Sequence, residues 1–129
     1  MILLDTSFLY AYFEENDSNH KKALALAEGL EFADPVLHID VLKELISVVT
    51  ARSTSKQALQ ISSDLMRDNG PIKILYDNKR IFEVVYSYFA ALGPHRLSYV
   101  DCLLVALAKE FSCKVLSFDK AILKNVGPT

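Results

Sequence analysis

The chain opens with Met1-Ile2-Leu3-Leu4-Asp5-Thr6-Ser7, an apolar run that stops at an acid and two hydroxyl side chains. An unbroken apolar run of this length, without alternation, reads as a strand buried on both faces. Thr6–Glu14 then carries a helical pattern. The punctuation recurs down the chain: Val36–Ile39, Ile72–Tyr76 and Lys114–Phe118 are short strand-like runs, each followed by a helical stretch. Strands alternating with helices imply an α/β class, with a parallel sheet covered by helices on both faces.

The helices can be bounded by their start and stop residues. Asp17 and Ser18 are candidate N-caps for a helix through about Leu30, with Ala23, Leu24, Ala27 and Leu30 at helical spacing. Asp40 is read as the cap of a helix carrying Val41, Leu42, Leu45, Val48 and Val49. Ser53-Thr54-Ser55 breaks that helix and starts another to about Asp68, which Asn69-Gly70-Pro71 stops. Asp77 opens a helix with Ile81, Val84, Val85, Tyr88 and Leu92 on one side, and Gly93-Pro94 ends it. The aromatic residues Phe82, Tyr86, Tyr88 and Phe89 read mostly as core, with a minority left for a dimer or partner surface. Ser98 begins an almost wholly apolar helix to Phe111, and Asp119 opens a last short one.

At 129 residues the chain fits one domain, 1–129, near the usual size for a single hydrophobic core. Its 51% apolar and 23% charged residues are those of an ordinary globular protein. The apolar start, Met1–Phe13, lacks a basic leader and a small-residue cleavage site, is interrupted by Asp5, and is too short to span a bilayer. The expectation is a cytoplasmic protein with no membrane partner. Cys102 and Cys113 have no metal-ligand spacing and apolar neighbours, so buried free thiols are expected. His20, His38 and His95 are scattered, which favours structural or surface roles over a zinc site. The net charge is −2, so binding to a polyanion would need a local basic patch, a bound metal or a partner.

Four acids stand out. In open parallel sheets, ligands bind beyond the carboxyl ends of the strands. Asp5 follows the first strand and Asp119 the fourth, which brings both to the same sheet edge. Helix capping competes as an explanation for each. Asp101 lies in Val100-Asp101-Cys102-Leu103-Leu104-Val105-Ala106-Leu107-Ala108, where no other charge appears before Lys109. A helix apolar all round is buried, and a buried carboxylate is paired, protonated or metal-bound. Ser98-x-x-Asp101 also has capping-box spacing, which is compatible with metal binding. Glu44 sits about 60° from Val41 and about 40° from Val48 round its helix, on the rim of the apolar face. Clustered carboxylates repel one another without a cation; with Mg²⁺ or Mn²⁺ the sign of the site inverts and a phosphate backbone can approach. Arg52 and the His95-Arg96 pair, Arg52 and Arg96 in particular, are candidates for contacting backbone phosphates, and solvated surface bases are the competing reading.

Several segments in this order resemble the PIN-domain nucleases along most of the chain: Leu3-Leu4-Asp5-Thr6-Ser7, Asp17-x-x-His20-x-x-Ala23, Val41-Leu42-Lys43-Glu44, Leu97-Ser98-Tyr99-Val100-Asp101 with Ala106-x-Ala108, and Val115-Leu116-Ser117-Phe118-Asp119. The resemblance implies a PIN-like three-layer α/β/α fold with a parallel central sheet of four or five strands. It also implies an Mg²⁺- or Mn²⁺-dependent endoribonuclease that uses water as nucleophile. In that family the residues matching Asp5, Glu44, Asp101 and Asp119 are catalytic and hold the metal. Thr6 and Ser7 would position a carboxylate or water, and Ser117 keeps a hydroxyl where relatives often have Thr. Cys102 replaces a frequent Ala, and Ile122 and Leu123 stand where a Phe often follows the last acid. Many small prokaryotic members are VapC-type toxins, often dimeric and neutralised by an antitoxin encoded beside them. The implied partners are thus an RNA substrate, a VapB-like antitoxin and a second copy of the chain.

Other classes fit less well. A receiver domain needs an acidic pair after its first strand, where Leu3-Leu4-Asp5 has one acid. A phosphatase of the haloacid-dehalogenase type needs Asp-x-Asp, and position 7 is Ser. The remaining alternative is a non-catalytic or RNA-processing module that uses the same fold for binding or scaffolding.

Overall fold

The computed structural model of the chain describes residues 1–127; Pro128 and Thr129, the end of the single domain expected over 1–129, lie outside the described residues. The order of elements is β1 (Ile2–Leu4), α1 (Thr6–Phe13), α2 (His20–Ala27), β2 (Pro35–His38), α3 (Ile39–Arg52), α4 (Ser55–Leu65), β3 (Lys73–Leu75), α5 (Lys79–Leu92), α6 (Tyr99–Glu110), β4 (Lys114–Leu116) and α7 (Lys120–Val126). Short 3₁₀ turns lie at Leu30–Phe32 and Gly93–His95. The four strands form one parallel sheet in the order β3-β2-β1-β4, at the smaller of the two expected sizes.

The strand order explains where a site can form. Leu3 pairs with Val36 on one side and Val115 on the other, so β1 is central, and Leu3 and Leu4 are wholly buried. The chain steps outward from β1 to β2 to β3, then returns across the sheet to place β4 against the far side of β1. With right-handed crossovers, that reversal sends the helices before and after it to opposite faces. α1 packs on α2 and α3, and α3 on α4; α5 packs on α6, and α6 on α7. The reversal leaves a crevice at the carboxyl ends of β1 and β4.

α6 is as apolar as its sequence implies: every residue from Cys102 to Ala108 is buried. Cys102 and Cys113 are buried free thiols, and burial pushes both thiol pKa values up. Among the described residues no helix is long and apolar enough to cross a membrane.

Several helix starts differ from expectation. α2 begins at His20, not at Asp17 or Ser18, because Asp17 spends its carboxylate on the backbone N–H of Asn19 at 2.8 Å and shapes the preceding loop. α2 stops at Ala27, and Gly29 at φ +73° turns the chain into the 3₁₀ segment. Asn78, not Asp77, caps α5 by accepting from Ile81 N–H at 2.9 Å. α5 fully buries only Val85; Phe82, Tyr86 and Phe89 are exposed, so these aromatics are surface, not core.

The cap of α3 is His38, with Asp40 in the first turn. Its Nδ1 accepts from Asp40 N–H at 3.0 Å, and Nε2 lies 3.4 Å from Asp77 Oδ1. A ring nitrogen that accepts here must be unprotonated, so the cap requires neutral imidazole. Burial pushes the His38 pKa below its ordinary 6.5, against the upward pull of Asp40 and Asp77. A folded-state pKa below the unfolded one contributes stability that is complete above about pH 6.5 and fades as pH falls through the folded value. His38→Asn, which caps without titrating, is expected to flatten this part of the profile. Urea midpoints measured from pH 7.5 to 5 should fall more steeply for the parent than for the variant; parallel profiles would contradict this role.

Candidate active site

Asp5 occupies the N-cap position of α1, yet its side chain makes no capping bond. Instead Oδ2 accepts from the hydroxyls of Ser7 at 2.7 Å and Ser117 at 2.6 Å. Each of those hydroxyls accepts in turn: Ser7 Oγ from Phe118 N–H at 2.9 Å, and Ser117 Oγ from Asp119 N–H at 2.9 Å. The end of β1 is thereby fastened to the segment that follows β4, and Asp5 is held at 5% exposure.

Asp119 caps α7 as the sequence implies, with Oδ1 accepting from Ala121 N–H at 2.8 Å and Ile122 N–H at 3.3 Å. Asp101 forms the expected capping box: Oδ2 accepts from Ser98 N–H at 3.0 Å while Ser98 Oγ accepts from Asp101 N–H at 3.1 Å. A common pattern results. Each of the three aspartates commits one carboxylate oxygen to the protein, and among the described residues the other, Asp5 Oδ1, Asp101 Oδ1 and Asp119 Oδ2, has no hydrogen-bond partner.

Glu44 is half-buried on α3. Burial raises its carboxyl pKa, the Thr6 hydroxyl opposes that rise, and the neighbouring Asp5 and Asp101 add to it. Its side chain lines the same cleft as Asp5 and Asp101. Thr6 Oγ1 is itself buried and completes no well-formed hydrogen bond among the described residues, although the Glu44 carboxylate lies near it. Asp5, Glu44, Asp101 and Asp119 all line one cleft of about 270 Å³, together with Thr6, Ser7, Tyr10, Asp17, Asn19, Val48, Arg52 and Phe118.

The donor chemistry fits a hard divalent cation. The open groups are carboxylate and hydroxyl oxygens, the ligands Mg²⁺ and Mn²⁺ prefer, and the orphaned Thr6 hydroxyl lies among them. Among the described residues no three acidic, imidazole or thiol side chains stand close enough together to hold a metal ion by themselves. An open arrangement suits Mg²⁺, which keeps several waters and binds through few carboxylates.

Other candidates separate. Ser117 does not line the cleft and acts on it through Asp5 and the Asp119 backbone. Arg52 lines the cleft; Arg96, exposed in a left-handed turn, does not. His20 Nδ1 lies 2.8 Å from Ala11 O and ties α2 to α1, a structural role. Asp17, Asn19 and Tyr10 line the cleft without having been singled out as site residues. The spacing Asp17-x-x-His20-x-x-Ala23, one of the segments resembling the PIN-domain nucleases, is the signal in the sequence that points to Asp17.

Comparison with known proteins agrees with this architecture. The PIN domain family model matches residues 2–127. VapC20 from Mycobacterium tuberculosis, a sarcin-ricin loop cleaving toxin, superposes with a TM-score of 0.81 at 17% identity, over 95% of this chain and 92% of its own. FitAcB from Neisseria gonorrhoeae gives 0.73 at 19% identity, over 98% and 93%. At such identities the likeness is one of fold. No curated protein matches the chain in sequence.

The carboxylates differ in what they do for the fold. Asp119→Ala removes two capping bonds and is expected to cost about 1 kcal/mol of stability. Asp5→Asn keeps a hydrogen-bond acceptor and relieves like-charge repulsion, so in chelator it should leave stability near the parent's. Urea unfolding of both variants in EDTA checks this, and a larger loss for Asp5→Asn would contradict it.

Proposed function

The chain belongs to the PIN domain family, and from that premise we propose that it is a divalent-metal-dependent endoribonuclease. The observation that carries the reading is the convergence of Asp5, Glu44, Asp101 and Asp119 on one cleft, with one oxygen of each aspartate left open. When bound, Mg²⁺ or Mn²⁺ supplies neutralisation of phosphate charge and activation of water. Asp5, Asp101 and Asp119 would hold it, with Glu44 completing the set from α3. Ser7 and Ser117 keep Asp5 in one orientation, and Thr6 orients Glu44 or a water. Arg52 binds a substrate phosphate at the cleft wall; Arg96, farther away, is a weaker candidate for the same contact.

The same reading extends to partners. As in VapC-type toxins, an antitoxin would neutralise the enzyme in the cytoplasm. A second, largely apolar cleft of about 240 Å³, lined by Phe8, Tyr12, Phe13, Leu30, Leu65 and others, is the surface suited to such a protein. The exposed Phe82, Tyr86 and Phe89 on α5 are the face suited to a homodimer.

The purified protein is expected to cut single-stranded RNA in Mn²⁺ or Mg²⁺ and to stop in EDTA. Asp5→Asn should lower the rate by roughly a hundredfold or more, about 3 kcal/mol of barrier, with an unchanged circular dichroism spectrum. Undiminished cleavage by that variant would overturn the assignment.

A further inference from the structure

Arg52 stands out in the acidic cleft. It is the one cation among the cleft-lining residues, where Asp5, Asp17, Glu44, Asp101 and Asp119 supply five carboxylates. A guanidinium in such company would ordinarily pair with a carboxylate. Among the described residues it does not: its Cζ lies over the ring of Tyr10, 4.9 Å from the centroid, and no carboxylate oxygen comes within 4.0 Å. The side chain is exposed, so the guanidinium held over the aromatic ring remains accessible from solvent.

We propose that Tyr10 and Arg52 form a stacking platform for an unpaired nucleobase next to the cleaved phosphodiester, with the base lying on the free face of the guanidinium. The inference rests on the ribonuclease reading and specifies the substrate class within it. Nucleobases stack on arginine planes as they do on aromatic rings, and such contacts tolerate any base. Within a duplex both faces of a base are already covered, so only a loop, bulge or free end can offer one. The in-plane N–H groups of Arg52 remain available for a phosphate while its face carries the base. Tyr10 is a positioning residue: its ring fixes the guanidinium plane and keeps it from collapsing onto the acids across the cleft.

This arrangement differs from a simple phosphate anchor, because charge alone is not sufficient. Arg52→Lys keeps the charge and loses the plane; Tyr10→Leu keeps the apolar bulk and loses the ring. The probe is a single-stranded RNA oligonucleotide carrying 2-aminopurine, whose fluorescence is quenched by stacking, titrated into the protein with Mn²⁺ in the Asp5→Asn background. Cleavage of unlabelled RNA by the otherwise unmodified enzyme is followed in parallel. Arg52→Lys and Tyr10→Leu are each expected to abolish the quench and to raise Kd and KM about tenfold or more, with the loss falling on KM and not on kcat. Tyr10→Phe, which restores the ring, should restore the quench. Parent-like quench and KM in Arg52→Lys, or in Tyr10→Leu, would overturn the platform while leaving the nuclease reading intact. Failure of the parent chain to bind or cut any RNA would overturn both.

Discussion

The carboxylate of Asp5 is the point on which the sheet edge and the cleft both depend. It sits at the end of the central strand, almost fully buried, and one of its oxygens takes the hydroxyl hydrogens of Ser7 and Ser117. Those hydroxyls also receive the backbone N–H groups of Phe118 and Asp119, so the strand-to-helix segments after β1 and β4 are joined through side chains where ladder pairing has ended. A buried carboxylate is expensive unless hydrogen-bonded or paired with a cation. Two hydroxyls satisfy one oxygen, and the other is left for something outside the chain. Structure and chemistry are thereby coupled: the bonds that close the sheet edge also aim the open oxygen into the cleft.

The same division of labour recurs around the site. Asp101 and Asp119 each cap a helix with one oxygen and leave the second free, so capping and ligation need not be rival explanations for these residues. Two helix N-termini and one strand end thus hold the carboxylates in place. Each helix also lends its positive N-terminal end to steady a negative side chain. Glu44 stands apart, carried mid-helix on α3 and set beside Asp5 and Asp101, where burial and their charge raise its pKa. A cation would relieve this crowding, which explains how a chain of net charge −2 can be suited to a polyanionic substrate.

Much of this was legible from local pattern. The apolar runs before Asp5 and Asp119, and the lone charge in the apolar α6, are signals that depend on a few adjacent residues. Glu44 was not legible by itself, since a glutamate on the rim of a helix looks the same whether it meets solvent or a cleft. Its placement follows from the packing of α3 against α1, which no single segment encodes. The His38 cap was missed because histidine is an uncommon N-cap, and Asp40 two residues later is the more usual candidate. Asp17 and Asn19 lie in a loop whose path is set by the docking of α2 on α1. The Tyr10–Arg52 contact joins helices far apart in sequence, and the exposure of the α5 aromatics depends on which side of that helix α6 covers.

On the proposed function, the open oxygens of Asp5, Asp101 and Asp119, with Glu44, would hold a divalent cation. Anomalous diffraction from crystals grown with Mn²⁺ tests it most directly. A peak is expected in this cleft, within about 2.0–2.6 Å of oxygens from at least two of these side chains. A well-ordered cleft without a peak, or manganese bound only elsewhere on the surface, would contradict it.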